Sequence, residues 1–97
     1  NFMPENDFDQ PNYWLSVIQL EGKIRPLDLI EHLEKHNIES RPVWKPMHLQ
    51  PYYEGYEYIG GNVSEKLFEN GVCLPSDTKM TDKDLHRITG IIKRLWR

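Results

Sequence analysis

The sequence predicts a small α+β domain with the element order β-α-β-loop-α-β-α, in which a three-stranded sheet carries its helices on one face. Three observations support this prediction. The 97 residues suffice for one compact domain and are too few for two. Short runs rich in β-branched and aromatic residues alternate along the chain with segments of helical periodicity. Residues typical of helix termini flank those helical segments, which places the boundaries of the elements.

The chain begins with a polar tail and a strand. Residues 1–12, NFMPENDFDQPN, show neither helical nor strand periodicity and are predicted to form a linker or disordered tail, which leaves residues 13–97 as the domain. The run YWLSVIQL from Tyr13 to Leu20 is the clearest strand, because aromatic and β-branched residues dominate it and a Glu-Gly pair ends it. We expect this strand to be buried on both faces over much of its length.

A helix and an edge strand follow. Pro26 is suited to the first position of a helix that we place from Pro26 to His36, with apolar residues clustered on one side. Asn37 can adopt the left-handed conformation that ends such a helix. The run IESRPVW from Ile38 to Trp44 is predicted to be a strand. Pro42 places it at a sheet edge or at a bulge, because proline has no N–H to donate.

A long loop separates this strand from the rest of the domain. From Lys45 to Gly61 the sequence has no periodicity, and it mixes prolines and glycines with tyrosines at positions 52, 53, 56 and 58. Loops of this length in compact domains are usually functional or disordered.

The remaining residues are predicted to form a helix, a strand and a second helix. Asn62 and Glu65 have the spacing of a helix-capping pair, and Gly71 closes that short helix before the strand VCLP. Thr81 and Asp84 have capping-box spacing, and the apolar positions after them predict a long amphipathic helix to the C-terminus. Helices then cover one face of the sheet. If the other face is also apolar, it requires a partner domain.

The composition argues against several classes of function. The net charge of −3 comes from mixed signs scattered along the chain, so no basic surface for nucleic acid is expected. No apolar run approaches the roughly 18 residues of a membrane-spanning helix. Cys73, the single cysteine, lies in the apolar run VCLP and is expected to be a core residue. With no possible intramolecular disulfide and no signal-peptide pattern, we expect a cytoplasmic location. A start at Asn1 is compatible with a piece of a longer protein.

Three of the histidines have unremarkable sequence settings. His32 and His36 are four residues apart on the first predicted helix, but no third metal ligand is suggested nearby. We interpret both as surface or flanking residues, and His86 in the last helix in the same way. The sequence therefore predicts no metal site.

His48 differs from them because it lies in the long loop. Prolines at positions 42, 46 and 51 restrict the backbone on both sides, so that the loop can hold one shape without regular hydrogen bonding. Such rigidity suits a loop that positions a ligand.

Other side chains of the same stretch could contribute to binding. An imidazole can donate or accept hydrogen bonds, Lys45 and Arg41 can meet an anionic group, and Trp44 or Tyr52 can offer a flat face to a ring. The alternative is that the prolines only lay an irregular connection across the sheet, with Trp44 and Tyr52 as its hydrophobic anchors. Spacing alone does not decide between the two interpretations, and no catalytic triad, carboxylate pair or phosphate-binding glycine loop is evident.

Two segments of the chain resemble a known enzyme family. The string ESRPVWKPMHLQPYY, followed by VSEKLFENGVCLPSDTKMTDKDLHRI, is similar to the C-terminal part of the DegT/DnrJ/StrS sugar aminotransferases. These enzymes use pyridoxal phosphate to transfer an amino group to a keto-sugar on a nucleotide carrier. Members carry a strand with a tryptophan like Trp14, an Arg-Pro-x-Trp-x-Pro-x-His segment, a helix running into CLPS, and a final helix capped by T-x-x-D. The resemblance covers the chain from Tyr13 to Trp96.

The resemblance implies that residues 13–97 are the small C-terminal domain of a fold type I aminotransferase. In the family, the Schiff-base lysine and the other cofactor-binding residues lie in the large N-terminal domain, so this fragment is expected to bind no cofactor, to hold no catalytic residue and to be inactive alone. The Pro-x-His loop borders the active-site cleft. The implied substrate-binding residues are His48, Lys45, Trp44, Arg41 and Met47.

The resemblance also implies the activity and partners of the parent protein. The parent would transfer an amino group from glutamate to a nucleotide-linked keto-sugar, in polysaccharide or cell-surface sugar biosynthesis, and would be a homodimer. The partner of this chain would be its missing N-terminal domain. Two alternatives are a free-standing α+β ligand-binding or regulatory module, and a degenerate family member that acts as a regulator.

Overall fold

The computed structural model describes residues 6–96, and this part of the chain contains three strands and three α-helices. They are, in chain order, β1 Ser16–Gln19, α1 Pro26–Glu34, β2 Arg41–Pro42, α2 Val63–Asn70, β3 Gly71–Leu74 and α3 Asp82–Leu95. Two short 3₁₀ turns, Met47–Leu49 and Pro51–Tyr53, lie in the loop between β2 and α2. The predicted α+β class and element order are confirmed. Of the tail predicted over residues 1–12, residues 1–5 lie outside the described part, and residues 6–12 contain no helix or strand.

The sheet is antiparallel, and its order β1-β3-β2 makes β3 the central strand. Ile18 lies opposite Val72 in the β1–β3 pair, and Arg41 lies opposite Cys73 in the β2–β3 pair. β2 is therefore an edge strand, where the sequence places Pro42.

The hydrophobic core lies between one face of the sheet and helices α1 and α3. Because successive side chains of a strand point to opposite faces, Ile18 and Val72 share the core face. Leu29 and Leu33 are one turn apart on α1 and are fully buried. The buried members of the core are Leu20, Leu29, Leu33, Ile38, Val72 and Ile91.

The opposite face of the sheet carries Val17, Gln19, Arg41 and Cys73. Val17 and Gln19 are half-buried and Arg41 is exposed, whereas Cys73 is buried, as expected of a core cysteine. The expectation that β1 is buried on both faces is wrong, because no residue of β1 is fully buried. The face opposite the core is therefore only partly covered, and another part of the protein has room to pack on it.

Both outer strands are shorter than predicted. β1 covers Ser16–Gln19 instead of Tyr13–Leu20, and β2 covers Arg41–Pro42 instead of Ile38–Trp44. The central strand β3 ends at Leu74, directly before Pro75, which has no N–H to donate. Tyr13 has a φ of 50°, and the amide of Trp14 donates to Asn12 Oδ1 at 3.1 Å, so the chain is not extended before Leu15.

The ends of α1 follow the predicted signals closely. Pro26 occupies the first turn, and Asn37 has a φ of 55°, in the left-handed region. The helix ends at Glu34 instead of His36, because the amides of His36 and Asn37 donate to carbonyls three residues back, at 2.9 and 2.8 Å.

The two later helices begin differently. The Thr81 capping box of α3 is confirmed: its amide donates to Asp84 Oδ2 at 2.9 Å, and the Asp84 amide donates to Thr81 Oγ1 at 3.3 Å. Asn62 stands at the start of α2, but its side chain makes no capping hydrogen bond. The predicted Asn62–Glu65 capping pair is therefore wrong, because the Glu65 carboxylate binds His48 instead.

Candidate functional site

His48 is the most firmly held of the residues that the sequence predicts to bind substrate. Its Nε2 lies 2.9 Å from Glu65 Oε1, and its ring stacks on Tyr58 with centroids 3.8 Å apart and planes 16° from parallel. The side chain of His48 is 18% exposed. The ring is thus braced on one edge and one face, with a fraction of its surface left to solvent.

The loop reaches this geometry through the two 3₁₀ turns. Pro46 precedes the first turn, and its carbonyl accepts the amide of Leu49 at 3.1 Å. The Gln50 side chain reaches back to the Lys45 carbonyl at 3.3 Å, and Pro51 starts the second turn. The loop is therefore more regular than the sequence indicates, since local turns satisfy part of its backbone.

Tyr58 is fixed by the chain that follows it. Its hydroxyl donates to the carbonyl of Gly61. Gly60 has a φ of 147°, and a Cβ at this position would lie 3.1 Å from the Tyr58 hydroxyl. Only glycine fits here without strain, so the loop needs Gly60 in order to place the Tyr58 ring on His48.

The other predicted residues lie apart from this cluster. Trp44 is 64% exposed and packs against Trp14, with ring centroids 5.7 Å apart and planes at 39°. Arg41 forms an exposed ion pair with Glu39 at 2.5 Å. Within residues 6–96, the polar and ring contacts of His48 are to Glu65 and Tyr58, not to Trp44 or Arg41.

Lys45 and Met47 both precede His48 in the sequence, and both are exposed. The sulfur of Met47 lies 3.5 Å from Gln50 Nε2, and 57% of the Met47 surface is open to solvent. Both side chains are therefore open to a ligand or to another part of the protein.

A pocket of about 610 Å³ opens at the end of the sheet, next to the start of α3. Of the predicted binding residues, Arg41 and Trp44 line it, whereas Lys45, Met47 and His48 do not. Sequence reasoning missed the remaining polar residues that line it, because they come from separate segments that carry no common motif: Asn37, Glu39, Ser40, Ser76, Asp77, Asp84 and Arg87. The hydroxyl of Ser40 is buried and has no hydrogen-bond partner within the described residues.

Two groups near this pocket have shifted pKa values. The side-chain and backbone hydrogen bonds from Thr81 lower the pKa of Asp84, so its carboxylate stays charged at neutral pH. Burial raises the pKa of Cys73, so its thiol stays protonated and is a poor nucleophile.

The remaining histidines have structural partners. His32 Nε2 lies 3.1 Å from the Ile91 carbonyl, which links α1 to α3. His36 Nδ1 lies 2.9 Å from the His32 carbonyl, and His86 Nδ1 lies 2.6 Å from the Asp82 carbonyl. Within residues 6–96, no three His, Cys, Asp or Glu side chains are grouped as metal ligands.

The fold and the site define a small α+β domain whose long loop presents a braced imidazole among exposed aromatic side chains. Residues 1–93 match the DegT/DnrJ/EryC1/StrS aminotransferase family, and the chain belongs to this family. The family assignment made from the Arg-Pro-x-Trp-x-Pro-x-His segment and the CLPS segment is therefore confirmed.

Several relatives resemble the chain over a small part of their own length. The "Putative pyridoxal phosphate-dependent aminotransferase EpsN" of Bacillus subtilis (strain 168) is 36% identical over 98% of this chain and 26% of that protein. The "GDP-perosamine synthase" of Vibrio cholerae is 34% identical over 84% of this chain and 23% of its own. The chain thus spans about a quarter of the length of the curated relatives it matches.

A solved structure shares the fold. The "Putative sugar aminotransferase Spr1654 from Streptococcus pneumoniae, PMP-form" superposes with a TM-score of 0.70 at 27% identity, over 84% of this chain and 21% of that chain. No helix within residues 6–96 is long and apolar enough to cross a membrane.

The described residues do not fit pyridoxal phosphate by themselves. The cofactor is held through a lysine amine in a shielded site, and every lysine in residues 6–96 is exposed. No lysine lines the 610 Å³ pocket.

Proposed function

We propose that this chain is the C-terminal small domain, residues 13–97, of a fold type I aminotransferase that acts on a nucleotide-linked keto-sugar, and that its long loop forms the sugar-side wall of the active site. The observation that carries the proposal is the braced orientation of His48 in a chain of the aminotransferase family. A relative named GDP-perosamine synthase supports a nucleotide sugar as substrate.

In the proposed parent, the preceding large domain holds pyridoxal phosphate. When bound, this cofactor carries the amino group from glutamate to the sugar. We further propose that the parent is a cytoplasmic homodimer that serves polysaccharide biosynthesis. The fragment alone binds no cofactor and turns over no substrate under this proposal. Its share of the catalysis is to position the sugar, and misplacement by about 1 Å can lower a rate by orders of magnitude.

The substrate-binding residues divide into polar and flat groups. His48 has hydrogen-bonding capacity left for a sugar hydroxyl, because Glu65 uses one of its ring nitrogens. Lys45 is an exposed cation that precedes His48 in the same loop, suited to a phosphate oxygen of the nucleotide. Trp44 and Met47 offer exposed apolar surface to the sugar ring or the base.

Arg41 belongs to the edge strand β2 and not to the loop that carries His48. It already pairs with Glu39 at 2.5 Å, but both side chains are about three-quarters exposed, at 77% and 74%. Exposed pairs contribute about 1 kcal/mol or less, so a phosphate group could displace the carboxylate at small cost.

The exposed apolar surface supports a covering partner. Trp14, Trp44 and Tyr52 are 66%, 64% and 81% exposed. The Cα radius of gyration is 15.6 Å, whereas about 13 Å is typical of a compact chain of this length. We propose that the large domain of the same protein covers the exposed Trp14–Trp44 pair.

The proposal is tested in the full-length parent with purified protein, glutamate and nucleotide keto-hexoses. We expect amination of the sugar, and a His48→Ala variant should raise the KM for the sugar or lower kcat without changing cofactor absorbance. His86→Ala is the matched control, because it removes an exposed histidine from α3. Absence of sugar amination, or loss of cofactor binding in His48→Ala, would overturn the proposal.

A further inference from the structure

We infer that Glu65 and Tyr58 are positioning residues that fix the tautomer and the plane of the His48 ring, so that His48 presents Nδ1 to the substrate as a hydrogen-bond acceptor. The inference rests on the proposed function for the identity of the ligand, a hydroxyl group of the sugar. The orientation of the ring itself rests only on contacts within the chain.

The tautomer follows from the chemistry of the 2.9 Å contact between His48 Nε2 and Glu65 Oε1. An ionised carboxylate has no proton to donate, so the ring nitrogen must be the donor. A neutral imidazole that carries its proton on Nε2 has an acceptor lone pair on Nδ1. Glu65 therefore leaves His48 with one free polar atom, and that atom accepts hydrogen bonds.

Glu65 is well placed to remain a carboxylate. It lies in the first turn of α2, where the helix dipole favours negative charge. Its side chain is 35% exposed, so water reaches part of the carboxyl group while the remainder faces the His48 ring. A charge-assisted bond of this kind is stronger than a neutral one and holds a single geometry.

Tyr58 fixes the second degree of freedom, the plane of the ring. The two rings are stacked at 3.8 Å and 16°, so rotation of the imidazole about its Cβ–Cγ bond would drive it into the phenol ring. The hydroxyl of Tyr58 is itself held by the Gly61 carbonyl. The Nε2 contact and the stack together restrict His48 to one orientation.

The two contacts also connect distant parts of the sequence. Glu65 is 17 residues from His48 and belongs to α2, whereas Tyr58 and Gly61 belong to the end of the loop. The His48 ring is therefore contacted by helix α2 through Glu65 and by the end of the loop through Tyr58. Because the ring is already oriented, a ligand that binds His48 does not have to order this side chain, which lowers the entropic cost of binding.

The tautomer can be measured directly in the chain by nitrogen NMR of labelled histidine, with His48 assigned from the loss of its signals in His48→Gln. At about pH 8.5 we expect the ring proton on Nε2, with Nδ1 left as the acceptor. Glu65→Gln should give a mixture of tautomers, because an amide can donate to or accept from Nε2. Glu69→Gln, which alters an exposed carboxylate one turn later on α2, should leave the His48 signals unchanged.

Several NMR results would overturn the inference. They are a proton on Nδ1 in the unchanged chain, a ring still doubly protonated at this pH, or a Glu65→Gln spectrum equal to that of the unchanged chain. The dispersion of the backbone amide signals in the same samples shows that each variant is folded.

Kinetics of the full-length parent test the consequence for the substrate. We expect Glu65→Gln and Tyr58→Ala each to raise the sugar KM by about 3- to 10-fold, with the glutamate KM unchanged. Tyr58→Phe keeps the stacked ring and should recover most of the sugar affinity. A structural role alone would move both KM values together.

The two proposals fail in different ways. If His48→Ala changes neither the sugar KM nor kcat, the proposed function is wrong, and the tautomer result still decides the orientation of the ring. If His48→Ala raises the sugar KM and Glu65→Gln does not, the positioning role of Glu65 is wrong.

Discussion

Gly71 joins α2 to the central strand, and its replacement by alanine is expected to destabilise the domain by steric crowding alone. Its φ of −91° is one that any residue adopts, so backbone strain is not the reason for glycine here. A Cβ at this position would clash with the Leu67 carbonyl oxygen and with Val43 Cγ2, and would lie 2.8 Å from Gln19 Nε2. Real Cβ atoms essentially never make contacts this short, so α2 or the sheet must shift.

The size of the effect follows from these neighbours. Overpacking of this kind costs about 1–3 kcal/mol, and the presence of a backbone atom among the contacts favours the upper part of that range. For a domain of this size, each kcal/mol corresponds to a Tm change of about 4–8 °C. We therefore expect Gly71→Ala to lower the Tm by roughly 8–20 °C.

Thermal denaturation provides the assay, with Gly90→Ala as the matched control. Gly90 lies within α3, and a Cβ there would meet no atom within 4 Å. Because alanine is favoured over glycine in a helix, Gly90→Ala should raise the midpoint by an amount equivalent to about 0.5–1 kcal/mol. The same glycine-to-alanine substitution is thus expected to lower the stability at Gly71 and to raise it at Gly90. A Gly71→Ala chain as stable as the unchanged one would refute the steric argument.

The other predictions concern α3 and the single cysteine. Thr81→Ala removes the capping box and should cost about 1 kcal/mol, or about 4–8 °C in Tm by calorimetry, whereas Thr78→Ala at an exposed position should be near neutral. Since hydrogen bonds from Thr81 lower the pKa of Asp84, its carboxylate stabilises the fold above the ordinary aspartate pKa of about 4, and this stability is lost as the pH falls through the lowered folded-state pKa. Asp84→Asn should therefore reduce the Tm at neutral pH, and its deficit should shrink in acid; a constant deficit would contradict this. Cys73 should react with a thiol reagent on the order of 100-fold more slowly in the folded chain than in denaturant, because the thiol is buried and its pKa is raised.

Local signals in the sequence predict the helices of this domain well. Pro26, Asn37 and the Thr81–Asp84 pair each act within about one turn of chain, and the structure places all of them in the predicted roles. The Asn62–Glu65 pair carries the same kind of signal and misleads, because a histidine 17 residues away takes the Glu65 carboxylate. A tertiary contact has replaced the local one.

The strands and the site depend on such tertiary contacts and were predicted less accurately. β2 pairs with β3 only through Arg41 and Pro42, although the apolar run from Ile38 to Trp44 predicts a longer strand. The stacking of Tyr58 on His48 arises from the path of an aperiodic loop, and no spacing in the sequence encodes it. The loop position and the family resemblance make His48 a predicted binding residue, but only the structure shows what holds its ring.

A crystal structure of the full-length parent with its nucleotide keto-sugar tests the central proposal most directly. If the loop forms the sugar-side wall, a sugar hydroxyl will lie about 3 Å from His48 Nδ1, with Glu65 still bound to Nε2. A sugar bound in the active site with the loop of residues 45–61 away from it would contradict the proposal.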